Sequence, residues 1–147
     1  SADCGFELEF VPVPHRDELA DTHAIIIRGP MRSLLFLPDH DDWGQTLARH
    51  GANSVRQWLS VLGIDIALVD GSFWGSDELP GRDMSQIPHP TVTETIARLG
   101  EKVEEDPEIH FIHLNHSNPL LEPGSNQSEE VSDLGWNVGR QGQHFAL

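Results

Sequence analysis

One cysteine, Cys4, is too few for an intrachain disulfide and fits a reducing compartment. Cations are also scarce. Nine lysines and arginines stand against 24 acids, a formal charge of −15, and no local basic patch offsets the deficit, so a phosphate-backbone partner is not expected. No apolar run approaches the length of a membrane span, and no basic segment followed by an apolar stretch heads the chain. These absences lead us to expect a soluble, cytoplasmic protein with neither a nucleic-acid nor a membrane partner. Internal repeats, low-complexity linkers and compact metal motifs such as H-E-x-x-H are missing as well. What is present, 147 residues of which 37% are hydrophobic, suffices for one domain (1–147) with its own core.

The hydrophobic pattern reads as a mixed α/β chain. Phe6, Leu8, Phe10 and Val11 alternate with Glu7 and Glu9 as in a strand with one wet face. Pro12 and Pro14 stop its ladder and present His15 in a loop that runs to Asp17 and Glu18. Residues 23–28 form a second strand, and Gly29 and Pro30 turn it into a third at residues 33–38, a hairpin partner. A short helix is expected over 43–50. Another follows the capping residue Ser54, with Val55, Trp58, Leu59 and Leu62 on one face and Gly63 closing it. Residues 64–69 make a buried strand that ends at Asp70, Gly71 and Ser72, and strand, helix, strand in that order indicates an α/β layer. From 73 to 90 the chain is irregular, and so long a loop in a compact domain is more often functional than idle. A helix from Thr91 or Thr93 places Val92, Ile96 and Leu99 on one face and is expected to exit at Asp106 and Pro107. Residues 122–132 read as polar and mobile, and 136–138 and 143–147 as two short closing strands.

The stretch that organises these elements is residues 109–119, Ile-His-Phe-Ile-His-Leu-Asn-His-Ser-Asn-Pro, an apolar strand running into histidines and a polar turn. Imidazole is polar, so histidines at the end of a core strand need hydrogen-bond partners or a metal. Side chains alternate along a strand, so His110 and His113 fall on opposite sides. Four strand ends then carry candidate ligands: His15, Asp39, Asp70 and His113. Imidazole with carboxylate suits zinc, iron or manganese, with water completing the shell. Each residue also has an ordinary structural reading: histidine as a satisfied strand end, Asp70 as a turn former.

Several linked motifs carry a family resemblance. They are the run Val-Pro-Val-Pro-His-Arg-Asp-Glu from Val11, Leu-Phe-Leu-Pro-Asp ending at Asp39, and Leu-Val-Asp-Gly-Ser-Phe around Asp70. To these add Pro-Gly-Arg-Asp-Met-Ser-Gln-Ile-Pro-His-Pro from Pro80 and Phe-Ile-His-Leu-Asn-His-Ser-Asn-Pro from Phe111. In this order they resemble the metallo-β-lactamase-fold hydrolases over about residues 6–147, and within them the branch that includes pyrroloquinoline quinone biosynthesis protein B and, more distantly, ribonuclease Z. The resemblance implies that His15 and His113 bind metal and that Asp39 is a carboxylate bridging two ions. It makes Asp70 a supporting or proton-transfer group, and His89 and His116, with Arg82 and Asp83 alongside, candidates for substrate contact or outer support. The family's H-x-H-x-D-H motif is absent, so the chain resembles the C-terminal half of a two-half αββα sandwich, a mixed β-sheet with helices on one face.

The function this implies is a metal-dependent hydrolase using one or two zinc ions (manganese or iron are also suitable). In it a metal-activated water attacks an ester, amide, phosphoester or lactam bond of a small-molecule substrate. The chain would carry only part of that site. The missing motif motivates a second reading, a metal-poor or inactive half-domain serving as a binding or assembly module. A half-sandwich exposes the apolar face that normally packs on its other half, so the N-terminal half, a partner chain or a second copy in a homodimer is expected against it. An RNA-processing nuclease fits the distant resemblance but conflicts with the acidity.

Overall fold

The structure, a computed structural model, describes residues 5–16 and 21–147. Cys4 and the loop residues Asp17 and Glu18 lie outside the described residues. Six strands form one mixed sheet in sequential order: β1 (Glu7–Val13), β2 (Thr22–Arg28), β3 (Ser33–Leu37), β4 (Ile66–Asp70), β5 (Glu108–Ile112) and β6 (Asn137–Val138). The first two pairings are antiparallel and the remaining three parallel. Two reversals restore direction, so β1 points the same way as β3, β4, β5 and β6. All of these except β2 therefore deliver their C-terminal ends to one edge.

The helices are α1 (Trp43–Arg49), α2 (Val55–Val61), α3 (Val92–Leu99) and α4 (Asn126–Asp133). Their placement follows from connectivity. Successive parallel strands joined in one direction by crossovers of the preferred right hand put the connecting helices on a single face. Val11, Ala24, Ile26, Leu35, Ala67, Val69, Ile109 and Phe111 share one core with Trp43, Trp58, Ile96 and Val131 from the helices. The indole N–H of Trp43 donates to Thr95 at 2.8 Å inside this core and ties α1 to α3. Each helix starts on a side-chain cap: Asp42, Ser54, Thr91 and Ser125 accept from backbone N–H groups of the first turn.

Four expectations are corrected. The helix begun at Thr91 ends at Leu99, well before Pro107, because Gly100 adopts φ 66° and breaks it. The segment 122–132 is not uniformly loose: Ser125 caps α4, and Val131 anchors that helix in the core. Residues 143–147 form no strand; Arg32 holds the carbonyl of Ala146 and Phe145 packs on His110 instead. The apolar set of β1 does not share a face. Val11 and Val13 are buried, whereas Phe6, Leu8 and Phe10 are 49%, 61% and 62% exposed on the opposite side. Leu8 stands opposite Ile27, and Phe10 is in register with Ile25 and, through it, Phe36, so the sheet carries a second apolar surface away from the helices. Among the described residues no helix is long and apolar enough to cross a membrane.

Candidate metal centre

The C-terminal strand ends converge. β3 runs through Pro38 to Asp39, β4 ends on Asp70, β5 on Ile112 just before His113, and β1 on Val13 two residues before His15. β1 and β3 are not neighbours, and a backbone bond closes the gap: Asp41 N–H donates to the Pro14 carbonyl at 2.8 Å. His15 Nδ1 then lies 3.3 Å from Asp39 Oδ1 and 3.2 Å from Asp41 Oδ1. On the other side, Gly71 N–H donates to the Ile112 carbonyl at 2.8 Å and Asn118 donates to the Gly71 carbonyl at 2.7 Å, which stitches the end of β4 to the turn after β5.

Asp70 is the buried hub. It is 1% exposed and accepts from His89 Nδ1 at 2.8 Å, the Ser72 N–H at 2.9 Å and, more loosely, the His40 N–H at 3.4 Å. His89 arrives from the long irregular segment. Its Nδ1 also stands 3.3 Å from Asp39 Oδ1, and its ring lies between those of His15 and His113, with centroids 6.1 and 6.2 Å away. Ser72 Oγ reaches His113 Nδ1 at 3.0 Å and His89 Nδ1 at 3.3 Å. Among the described residues the two non-glycine positions with positive φ are Arg16 and His113, one beside His15 and the other a site residue itself. Backbone in this region persists only where its surroundings hold it, and it concentrates at functional sites.

The charges are uneven. Burial holds the Asp39 carboxyl above its ordinary pKa, against the pull of His89 and His15 and with the charge of Asp70 adding to the rise. For His89, burial acts downward, but the hydrogen bond to Asp70 and the charges of Asp70, Asp39 and Asp41 outweigh it and its pKa is raised. Burial pushes His40 down to about 4. Thr46 gives its hydroxyl proton to the Asp42 carbonyl, so the 2.8 Å contact with His40 is a donation from Nδ1 of a neutral ring.

The donor set fits an ion. Asp39, Asp70 and His89 each offer an atom within 4.8 Å of the other two. The closest separations, 2.8 and 3.3 Å from His89 Nδ1, match the edges of a polyhedron built on bonds of ~2.0–2.2 Å. Asp39 Oδ1 is buried and accepts no hydrogen bond among the described residues. A buried carboxylate oxygen without a donor is costly unless a cation meets it. A cavity of about 720 Å³ opens beside His89, lined by Asp41, Phe73, Ser76, Arg82, Asp83 and Met84 among others.

Of the residues singled out from sequence, His15, Asp39, Asp70, His89 and His113 come together. His116 lines a separate cavity of about 380 Å³ with Phe73, Arg82 and Asn115. Sequence reasoning missed Asp41 and Ser72 as individual partners. The Asp-Gly-Ser spelling that lets Asp70 accept from the Ser72 N–H was a usable signal for the second.

No family model matches the chain. Coenzyme PQQ synthesis protein B of Gluconobacter oxydans (strain 621H) is 31% identical over 97 residues, 59% of this chain and 31% of its own length. The protein of the same name from Ruegeria pomeroyi is 30% identical over 88 residues, 54% of this chain and 29% of its own. The chain thus spans about a third of the length of these curated relatives. The crystal structure of Zn(2+)-bound PqqB from Methylobacterium extorquens superposes with a TM-score of 0.66 at 21% identity, over 97% of this chain and 47% of that one. By sequence over the matched part and by fold over nearly its full length, the chain resembles the C-terminal part of PqqB, and its fold is that of a metallo-β-lactamase half.

Proposed function

We propose that this chain carries part of the active centre of a metal-dependent hydrolase acting on a small molecule. The observation that carries the reading is the convergence of Asp39, Asp70 and His89, with His15 and His113 flanking them, on one edge of the sheet. Asp39, Asp70 and His89 hold the ion, and His15 and His113 complete its surroundings or hold a second one. Zinc suits this mixture of imidazole and carboxylate, as do manganese and iron. Such an ion supplies Lewis acidity and a water acidic enough to attack an ester, amide, phosphoester or lactam bond near neutral pH. The chain's own residues orient and exclude. Ser72 fixes the ring of His113, the His89 Nδ1 that donates to Asp70 in the metal-free chain would give up that proton to meet the ion, and the cavity walled by Phe73, Arg82 and Met84 receives the substrate. The zinc-bound neighbour and the names of the relatives, which place those proteins in synthesis of coenzyme PQQ, support a metal centre and a biosynthetic setting.

Metal analysis after gentle purification tests this directly. We expect close to a molar equivalent of transition metal; less than about a tenth of an equivalent would overturn the reading for this chain. A second reading, a binding or assembly half-domain, is favoured by one observation: the exposed apolar strip of Phe6, Leu8 and Phe10 beside Phe36. It predicts tight association with another chain or copy whether or not metal is present.

A further inference from the structure

A second cavity, of about 510 Å³, lies at the far edge of the sheet between α4, β6 and the C-terminal segment. It stands out by charge. In a chain of net charge −15, no aspartate or glutamate among the described residues lines it, while Arg140 does. Arg140 makes no ion pair among the described residues: its backbone N–H meets Gln143 Oε1 at 3.3 Å, and no carboxylate is placed on its guanidinium. Val131 and Trp136 give the cavity an apolar floor, and Ser132 and Asn137 give it neutral polar walls.

The remaining wall is His110, 4% exposed. Its proton can be placed. Gln143 turns Oε1 toward the Arg140 N–H, so its amide nitrogen faces His110 Nδ1, at 3.4 Å, and that ring nitrogen accepts. Burial lowers the His110 pKa, with the Lys102 charge adding and Glu108 opposing, so the ring is neutral and its one proton sits on Nε2. That N–H is buried and has no hydrogen-bond partner among the described residues. The nearest carboxylate, Glu108, is 3.7 Å away and its other oxygen is held by Arg32 at 3.0 Å. A buried donor without an acceptor costs free energy that a ligand oxygen recovers.

We infer that this cavity is a second ligand site, separate from the metal centre, for a small carboxylate with an apolar, ring-sized body. Arg140 pairs with the carboxylate, His110 and Asn137 offer further donors, and the body lies on Trp136 and Val131. Pairing with a guanidinium in a partly enclosed pocket gives charge discrimination that apolar contact alone does not.

Phenylacetate is the probe, with phenylacetamide as its neutral counterpart of nearly equal shape. Calorimetry and backbone amide NMR on the whole chain should show saturable binding of phenylacetate, one per chain, with shifts at Asn137, Gly142 and Gln143. Phenylacetamide should bind ~10-fold more weakly or worse, the scale of one charge-assisted hydrogen bond. Arg140 is exposed, so Arg140→Glu and Arg140→Lys leave the fold intact. The first should weaken phenylacetate by at least ~10-fold and the second by less. Metal content should be the same in all three proteins. Absence of saturable binding, equal affinity for the two probes, unchanged affinity in Arg140→Glu, or shifts confined to Gly71, Ser72 and His89 would each overturn the proposal.

Discussion

Asp39 is the residue on which the metal reading turns, since it touches both His15 and His89 and leaves a buried oxygen without a hydrogen bond. Asp39→Asn keeps the size and removes the charge. If Asp39 holds a cation, metal content should fall by at least ~10-fold, a loss that even outer partners of metal ligands can cause. The melting temperature of the metal-free protein should hold or rise, because Asp39, only partly exposed, stands beside the buried acid Asp70. Metal stoichiometry and thermal midpoint on one preparation check this; unchanged metal with a lowered midpoint would make Asp39 a turn residue. At this scale the sequence was informative about which strands end in ligand-type side chains, because an apolar run followed by His or Asp is visible in the letters. It was silent on His89 as the central imidazole. That position depends on a loop of 73–90 folding back over β4, and no local pattern encodes the return. His40 was equally hidden: its neutrality follows from burial under Trp43 and the contact with Thr46, both tertiary facts.

Elements set the precision with which those residues meet. A Cβ on Gly71 would stand 2.9 Å from the Ile112 carbonyl oxygen and from Phe111 Cβ. Gly71→Ala therefore pushes the end of β4 off β5 and moves Asp70 and Ser72 with it. We expect a loss of ~1–3 kcal/mol, the usual cost of overpacking, together with weakened metal binding, measured by urea unfolding and zinc titration. Far from the site, Arg56 on α2 clasps the buried Asp106 through two hydrogen bonds, 2.7 and 2.9 Å, and anchors the connection into β5. Burial alone would raise the Asp106 pKa, but the Arg56 hydrogen bond and charge and the Val103 N–H lower it below 3.8. A carboxylate depressed in the folded state stabilises it above the unfolded value and loses that contribution as pH falls through the folded one. Asp106→Asn should thus cost ~1–3 kcal/mol at neutral pH, and the gap to wild type should close below about pH 3.8, as urea midpoints across pH will show. Strands and capped helices with clear period were legible in advance. The polar helix α4 was not, because its one buried contact, Val131, gives almost no periodic signal. The end of α3 falls at Gly100 and not at Pro107, because a glycine directly after the last apolar position is the stronger stop.

For the whole molecule, the sheet's uncovered apolar surface and the strand-end cluster are two aspects of one half-fold. Light scattering should find the chain associated with a second copy or a bound fragment. Leu8→Lys with Phe10→Glu, both on exposed positions, should render it monomeric without loss of secondary structure, whereas a clean wild-type monomer at high concentration would argue against a docking face. Sequence predicted this exposure by analogy with a sandwich; grouping Val11 with Phe10 runs against the alternation of β1, which puts these adjacent residues on opposite faces, Val11 buried and Phe10 exposed. The central claim, that this half alone assembles a cation site, is most directly tested by zinc K-edge X-ray absorption on the purified chain. The account predicts about one bound zinc with only nitrogen and oxygen neighbours at ~2.0–2.2 Å and a clear imidazole contribution, lost in the Asp39→Asn protein. Zinc absent after saturation and desalting, or zinc whose environment is unchanged by that substitution, would contradict it.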